Sequence, residues 1–223
     1  MANISVFDVI GPAMVGPSSS HTAGAATIGY LAGRLAGGDL SEVVFTLHGS
    51  FASTYLGHGT DRALLGGVLG FAPDDLRIRE SFAIAKQRGI AFRFETAEDD
   101  DPDIHPNTAD IRMTCRNGRV RTVRGVSVGG GKVRIVRIDG IHVRFSGEYE
   151  TLVVLHRDMP GVVAHVTGIL SAAGVNIAYM RLYREQKSEK AYLIVESDEK
   201  IPPELIDRVR EHPAVSDTML LEV

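Results

Sequence analysis

One cysteine, Cys115, stands in 223 residues, and that scarcity excludes several structures. No internal disulfide can form, which fits a reducing compartment. The chain alone cannot supply the thiolates of an iron–sulfur cluster, because such clusters are held by several cysteines. Long apolar runs are missing too: none approaches the ~20 residues that span a bilayer. Residues 1–8 lack a basic segment followed by an apolar one, so no signal peptide is read there. Nor is positive charge in excess. The formal net charge is -4, whereas a general nucleic-acid binder carries a basic face. No internal repeat is present. What remains is a cytoplasmic globular protein, 44% hydrophobic and 23% charged, a balance that permits a buried core. Its length suits one large domain or two small ones.

The chain divides near Ser146-Gly147-Glu148-Tyr149-Glu150, so domains are expected over 1–147 and 148–223. In the first, Ile28, Leu31, Ala32 and Leu35 recur at helical spacing, which predicts a helix over 25–36 ended by Gly37-Gly38. A strand is expected over 43–47, a helix over 62–69 with Thr60 or Asp61 able to cap it, and a third helix over 81–88 closed by Gly89. The run Glu98-Asp99-Asp100-Asp101 beside Pro102 reads as an exposed loop. Val133, Ile135, Ile141, Val143 and Phe145 alternate around Asp139-Gly140, a hairpin signal because Asp-Gly tolerates positive φ. The second part reads as strand 152–155, a helix with Pro160 in its first turn, strands 177–183 and 191–195, helix 203–209 and strand 219–223. The fold class is therefore α+β: a mixed α/β N-terminal domain, then a ferredoxin-like βαββαβ domain.

Three clusters of small polar residues and histidine lie in the first domain. They are Gly16 to Gly24, the run from His48-Gly49-Ser50 to Gly57-His58-Gly59-Thr60-Asp61, and His105-Pro106-Asn107-Thr108. Two lead directly into helices. A helix N-terminus offers unpaired N–H groups and partial positive charge, hydroxyls add donors, and glycine lets a ligand approach closely. A small amino-acid carboxylate would suit such a place. A capping loop and a structural histidine are the alternative readings of the same residues. Gly129-Gly130-Gly131-Lys132 lacks the spacing of a P-loop and reads as a bend between strands, and Cys115 reads as a buried structural thiol.

Taken in order, Gly16-Pro17-Ser18-Ser19-Ser20-His21-Thr22-Ala23-Gly24, His48-Gly49-Ser50-Phe51, Gly57-His58-Gly59-Thr60-Asp61 and His105-Pro106-Asn107-Thr108 resemble the β-chain family of iron–sulfur L-serine dehydratases. Ser146-Gly147-Glu148-Tyr149 fits the same family. Asp158-Met159-Pro160-Gly161 resembles the Asp-x-Pro-Gly signature of an ACT domain, a regulatory amino-acid-binding module.

The resemblance implies a lyase in which a [4Fe–4S] cluster, ligated by cysteines of a separate α chain, acts as a Lewis acid on L-serine. It implies that Ser18, Ser19, Ser20 and Thr22 hold the substrate carboxylate. His21 and His58 would transfer protons or orient the substrate, and Asn107 and Thr108 would bond the substrate or its ammonium group. Arg157, Asp158, Gly161 and Asn176 would form an effector site for an amino acid or cation, with a homodimer contact through the ACT domain. The rival reading is a non-catalytic amino-acid sensor, since the first domain also resembles the substrate-binding regulatory domain of some phosphoglycerate dehydrogenases. A self-sufficient serine hydrolase is disfavoured by the lack of a Gly-x-Ser-x-Gly elbow.

Overall fold

Glycine sets how closely the first part of the protein is packed. The computed structural model describes residue 16 and residues 18–98 and 103–222. The segment read for a signal peptide, Pro17, most of the acidic run and Val223 lie outside the described residues. The chain forms two compact units, one up to Asp139 and one from Gly140 onward.

In the first unit, helix α1 (Gly24–Ala36) is entered through a single π-helical turn, Ser19–Ala23. Its buried face carries Ile28, Leu31, Ala32 and Leu35, as the spacing predicts. Gly37, at φ 56, ends it in the left-handed region where glycine carries no Cβ penalty. Helices α2 (Gly49–His58) and α3 (Thr60–Val68) are separated by Gly59 at φ 68. A 3-10 turn, Leu76–Glu80, leads into α4 (Ser81–Gln87). The strands are β1 (Leu40–Leu47), β2 (Ala91–Thr96), β3 (Thr108–Cys115), β4 (Val120–Gly129) and β5 (Lys132–Ile138). They lie in the order β2-β1-β3-β4-β5. β1 runs parallel to β2, and the remaining neighbours are antiparallel.

Helices α1 and α3 meet backbone to backbone. A Cβ at Gly29 would come within 2.2 Å of the Leu64 carbonyl oxygen, at Gly33 within 2.6 Å of Val68, and at Gly67 within 2.1 Å of Ala26. Contacts advance along both helices in the same direction, so the two run parallel and their N-terminal ends lie together. Gly125 of β4 likewise makes room for Ile28, whose Cγ2 a Cβ would approach to 2.4 Å. Both partial positive charges of the helix starts thus point to one place.

The expected cap of α3 needs correction. Thr60 and Asp61 do not cap α3: both lie within its first turn, and Gly59 occupies the capping position. Helix α2 carries no apolar periodicity, because Phe51 is its one buried side chain among small polar residues.

The second unit contains β6 (Ile141–Phe145), β7 (Glu150–Arg157), α5 (Val162–Ala172), β8 (Ile177–Arg184), β9 (Lys190–Ser197), α6 (Pro203–Arg210) and β10 (Val215–Leu221). The last four strands form an antiparallel sheet in the order β10-β7-β9-β8, the ferredoxin-like arrangement. Leu152, Val154, Leu193 and Val195 of the sheet pack with Val166 and Leu170 of α5. Pro160 precedes α5 rather than opening it, because Gly161 at φ 98 occupies the capping position and the helix begins at Val162. The torsions of a tight turn are present at Asp139 (φ 48) and Gly140 (φ 88). Among the described residues no helix is long and apolar enough to cross a membrane.

Alanine at Gly29 or Gly67 should lower the free energy of unfolding by roughly 1–3 kcal/mol, the usual cost of overpacking. Alanine at Gly168 of α5, where a Cβ meets nothing within 4 Å, should instead raise it by up to ~1 kcal/mol. Urea unfolding of the three variants measures both signs.

Candidate functional site

The serine run is itself helical, and that changes what it presents. Within the π turn, the Ser18 carbonyl accepts Thr22 N–H at 2.9 Å and the Ser19 carbonyl accepts the N–H of Gly24. The N–H groups left without an intrahelical acceptor are therefore those of Ser19 and Ser20, not those around Gly24. Ser18 caps the turn, its Oγ accepting His21 N–H at 3.2 Å.

His21 is held at both ring nitrogens. Nδ1 lies 3.0 Å from Ser20 Oγ and 3.4 Å from Ser18 Oγ, and Nε2 lies 2.9 Å from Ser50 Oγ in α2. Burial, and next the charge of His58, push its pKa below the ordinary histidine value of 6.5. A neutral imidazole has one donor and one acceptor nitrogen, so one neighbouring hydroxyl accepts from His21 while another donates to it. The ring also meets Phe51 edge-on at 5.3 Å and the His58 ring at 5.0 Å, with 71° between the two imidazoles.

His58 is the last residue of α2. Its ring nitrogen Nδ1 is buried with no hydrogen-bond partner among the described residues, and it lines a cleft of about 300 Å³ together with Thr22, Leu56, Gly57, Arg62 and Arg79. Thr22 is 2% exposed, and its hydroxyl donates to the His58 carbonyl at 3.2 Å. It therefore ties the two motifs together rather than offering its proton to a ligand. Asp61, at the start of α3, accepts Arg62 N–H at 2.7 Å, and burial raises its pKa. Arg62 donates through Nη1 to the Arg79 carbonyl at 2.5 Å and lies over the Phe82 ring.

At the same end of the sheet, Arg124 of β4 forks Asp110 of β3 at 2.7 and 2.6 Å, and His48 Nε2 lies 2.9 Å from the same carboxylate. Burial pushes the Asp110 pKa up, but the Arg124 and His48 bonds outweigh it and hold the carboxyl below its usual range. His48 immediately precedes α2 and so anchors the helix that carries Ser50. The turn at 105–108 packs against the same place, with Phe51 N–H donating to the Pro106 carbonyl at 3.2 Å. Thr108 is buried and gives its hydroxyl proton to the His105 carbonyl at 2.6 Å. Asn107 differs from it. Asn107 Oδ1, His48 Nδ1 and Ser127 Oγ are buried and unpartnered among the described residues.

Ser50, His48 and Asp110 are the residues that motif reading left without a role. The first two stand within the quoted His-Gly-Ser-Phe run. Asp110 is an isolated acid in a strand, and nothing local in the sequence marks it.

In the second unit, Asp158 accepts from Ser188 N–H at 3.1 Å and Arg184 Nη1 at 2.6 Å. Those two bonds hold its carboxyl below the usual range. Arg157 reaches the Ser188 carbonyl at 3.4 Å, Gly161 opens α5, and the Asn176 N–H donates to Glu199 at 3.0 Å. Arg157 and Asp158 thus share the 184–188 turn as partner, while the exposed Asn176 is joined to Glu199 instead.

A thiolate-ligated cluster does not fit these residues. Cys115 is 3% exposed, with its Sγ 4.0 Å from the Ala36 carbonyl oxygen. Among the described residues no group of three or more His, Cys, Asp or Glu side chains is placed to hold a metal.

Comparison with known proteins gives two family matches: "Serine dehydratase beta chain" over residues 5–137 and "ACT domain" over residues 151–214. The chain is 43% identical to the L-serine dehydratase, beta chain, of Peptoniphilus asaccharolyticus, covering 92% of both proteins. It is 39% identical to the probable L-serine dehydratase, beta chain, of Bacillus subtilis, covering 95% of this chain and 94% of that protein. A D-3-phosphoglycerate dehydrogenase of Synechocystis is 26% identical over 89% of this chain but 36% of its own length.

Two titrations follow from this geometry. The His21 ring should titrate below 6.5 by NMR, and His58→Gln should move the midpoint upward by removing the neighbouring charge. For Asp158 the folded-state pKa is depressed, so its stabilisation is complete above the unfolded carboxylate value and is lost as pH falls through the folded one. Asp158→Asn should therefore destabilise at pH 7, and its deficit against wild type should close below about pH 4 in thermal unfolding.

Proposed function

The chain belongs to the serine dehydratase beta chain family, and from that premise we propose that it is the β chain of an L-serine dehydratase. With a separate α chain it eliminates water from L-serine, a reaction that yields pyruvate and ammonia. The observation that carries the assignment of roles is the contrast between two touching histidines, one bonded at both nitrogens and one with a buried nitrogen left unpartnered among the described residues.

Elimination requires loss of the Cα proton and of the β-hydroxyl. The product, 2-aminoacrylate, rearranges to an imine, and water converts that to pyruvate and ammonium. On this chain, the hydroxyls of Ser18 and Ser20 and the N–H groups of Ser19 and Ser20 offer donors to the substrate carboxylate. The positive ends of α1 and α3 favour its charge. His21 has no lone pair free for a proton and acts by aligning Ser20 and Ser50. His58 is the residue we assign to accept the Cα proton, because its unpartnered Nδ1 belongs to a ring lining the cleft. Asn107, with a buried unpaired oxygen, suits the substrate ammonium. Thr22 and Thr108 support these groups through the backbone bonds described above.

The [4Fe–4S] cluster implied by the resemblance is assigned to cysteines of the α chain, since the single buried thiol here cannot hold it. The ACT domain is assigned an effector role through the loop from Arg157 to Gly161 and Asn176. Tyr179, Met180 and Leu182 are exposed on its edge strand β8, which supports a homodimer contact there. A reduced lone thiol suits the cytoplasm.

Turnover of L-serine by the anaerobically assembled α–β pair tests these roles. His58→Gln should lower kcat by about 10²–10⁴ with the cluster spectrum intact, whereas Ser20→Ala and Ser50→Ala should act mainly on KM. Wild-type turnover by His58→Gln would remove it from proton transfer.

A further inference from the structure

We propose that the α chain docks over the mouth of the His58 cleft, on the exposed end of α2 and the neighbouring 3-10 turn; this rests on the β-chain reading above. Leu56 forms part of the cleft wall and is 73% exposed. Leu76, in the same turn as the lining residues Ile78 and Arg79, is 68% exposed. Single exposed leucines are ordinary on protein surfaces, but these are the two barest large apolar side chains among the described residues. Both belong to segments that build one cleft.

Gly57 supplies an independent observation. It lies inside the last turn of α2, its φ is not positive, and a Cβ there would meet nothing within 4 Å. Gly29, Gly33 and Gly67 are each explained by a backbone within this chain; Gly57 and Gly168 are not, and of those two Gly57 is the one that lines the cleft. A helical glycine costs up to about 1 kcal/mol relative to alanine. Close approach of a second backbone from outside gives it a reason, since glycine leaves that space open.

The chemistry points to the same face. Cluster ligands are not available on this chain, so a metal site must be brought to the cleft by another protein, and the exposed mouth is where it can enter. Arg62 and Arg79 border that mouth. The complementary surface on the α chain is therefore an apolar patch flanked by acidic side chains, closely applied at Gly57.

The test measures binding of the cluster-loaded α chain to the full β chain under anaerobic conditions, with thermal unfolding of each free β chain alongside. Leu56→Arg and Leu76→Arg should each weaken association at least about tenfold without lowering the melting temperature of the free chain. Val120→Arg, at another exposed apolar position (40%) on β4, should bind within about twofold of wild type. Gly57→Ala should raise the melting temperature of the free chain while weakening association, a pair of opposite signs that a folding defect cannot produce. Wild-type affinity in Leu56→Arg, Leu76→Arg and Gly57→Ala overturns the docking surface and leaves the β-chain reading intact. If the wild-type chain neither binds the α chain nor supports serine turnover with it, both fall together.

Discussion

The contact between the backbones of α1 and α3 governs the first unit. At Gly29, Gly33 and Gly67 the helices approach more closely than any side chain would allow. The site inherits its geometry from that contact. Because the helices run parallel, the π turn that begins one and the Gly59 break that begins the other are brought side by side. His21 and His58, separated in sequence by most of the first motif region, thereby become neighbours with ring centroids 5.0 Å apart. Gly125 extends the same tolerance to the sheet and seats Ile28 against β4. A structure loosened at these glycines would keep its motifs and lose their meeting.

Around this frame the polar groups divide into those already satisfied and those left open. Thr22 and Thr108 are closed by backbone carbonyls, and His21 is saturated by serine hydroxyls. His58, His48, Asn107 and Ser127 each retain a buried atom without a partner. Unpaired buried polar atoms are costly, and native structures keep few of them. Of the four, His58 belongs to the cleft wall. The Arg124–Asp110–His48 chain braces the start of α2 and so acts on Ser50 from behind.

Much of this is legible in the sequence, for identifiable reasons. The buried stripe of α1 repeats at 3.6-residue spacing, and the ACT strands alternate or run apolar, so local periodicity was sufficient. Motif order carried the family. The missing parts were non-local or lacked periodicity. Helix α2 buries Phe51 alone and has no stripe to read. The roles of Gly29 and Gly67 depend on a partner helix some forty residues away in sequence. Asp110 owes its importance to Arg124 and His48, neither of which is a sequence neighbour. At the start of α3 the capping position falls to Gly59 at φ 68, so Thr60 lies inside the helix.

The π turn at Ser19–Ala23 has a consequence for how the serine run is built. An α-helix advances about 100° per residue, so one extra residue in a turn rotates everything before it by that angle relative to everything after. The apolar stripe of α1 answers to the sheet, while His21 answers to Ser50 and His58, and the widened turn lets both directions be met in one continuous helix. Residue count within the turn Ser19–Ala23 is thus a phase setting. Closing that turn to ordinary α geometry would leave every functional group present and aim the imidazole elsewhere.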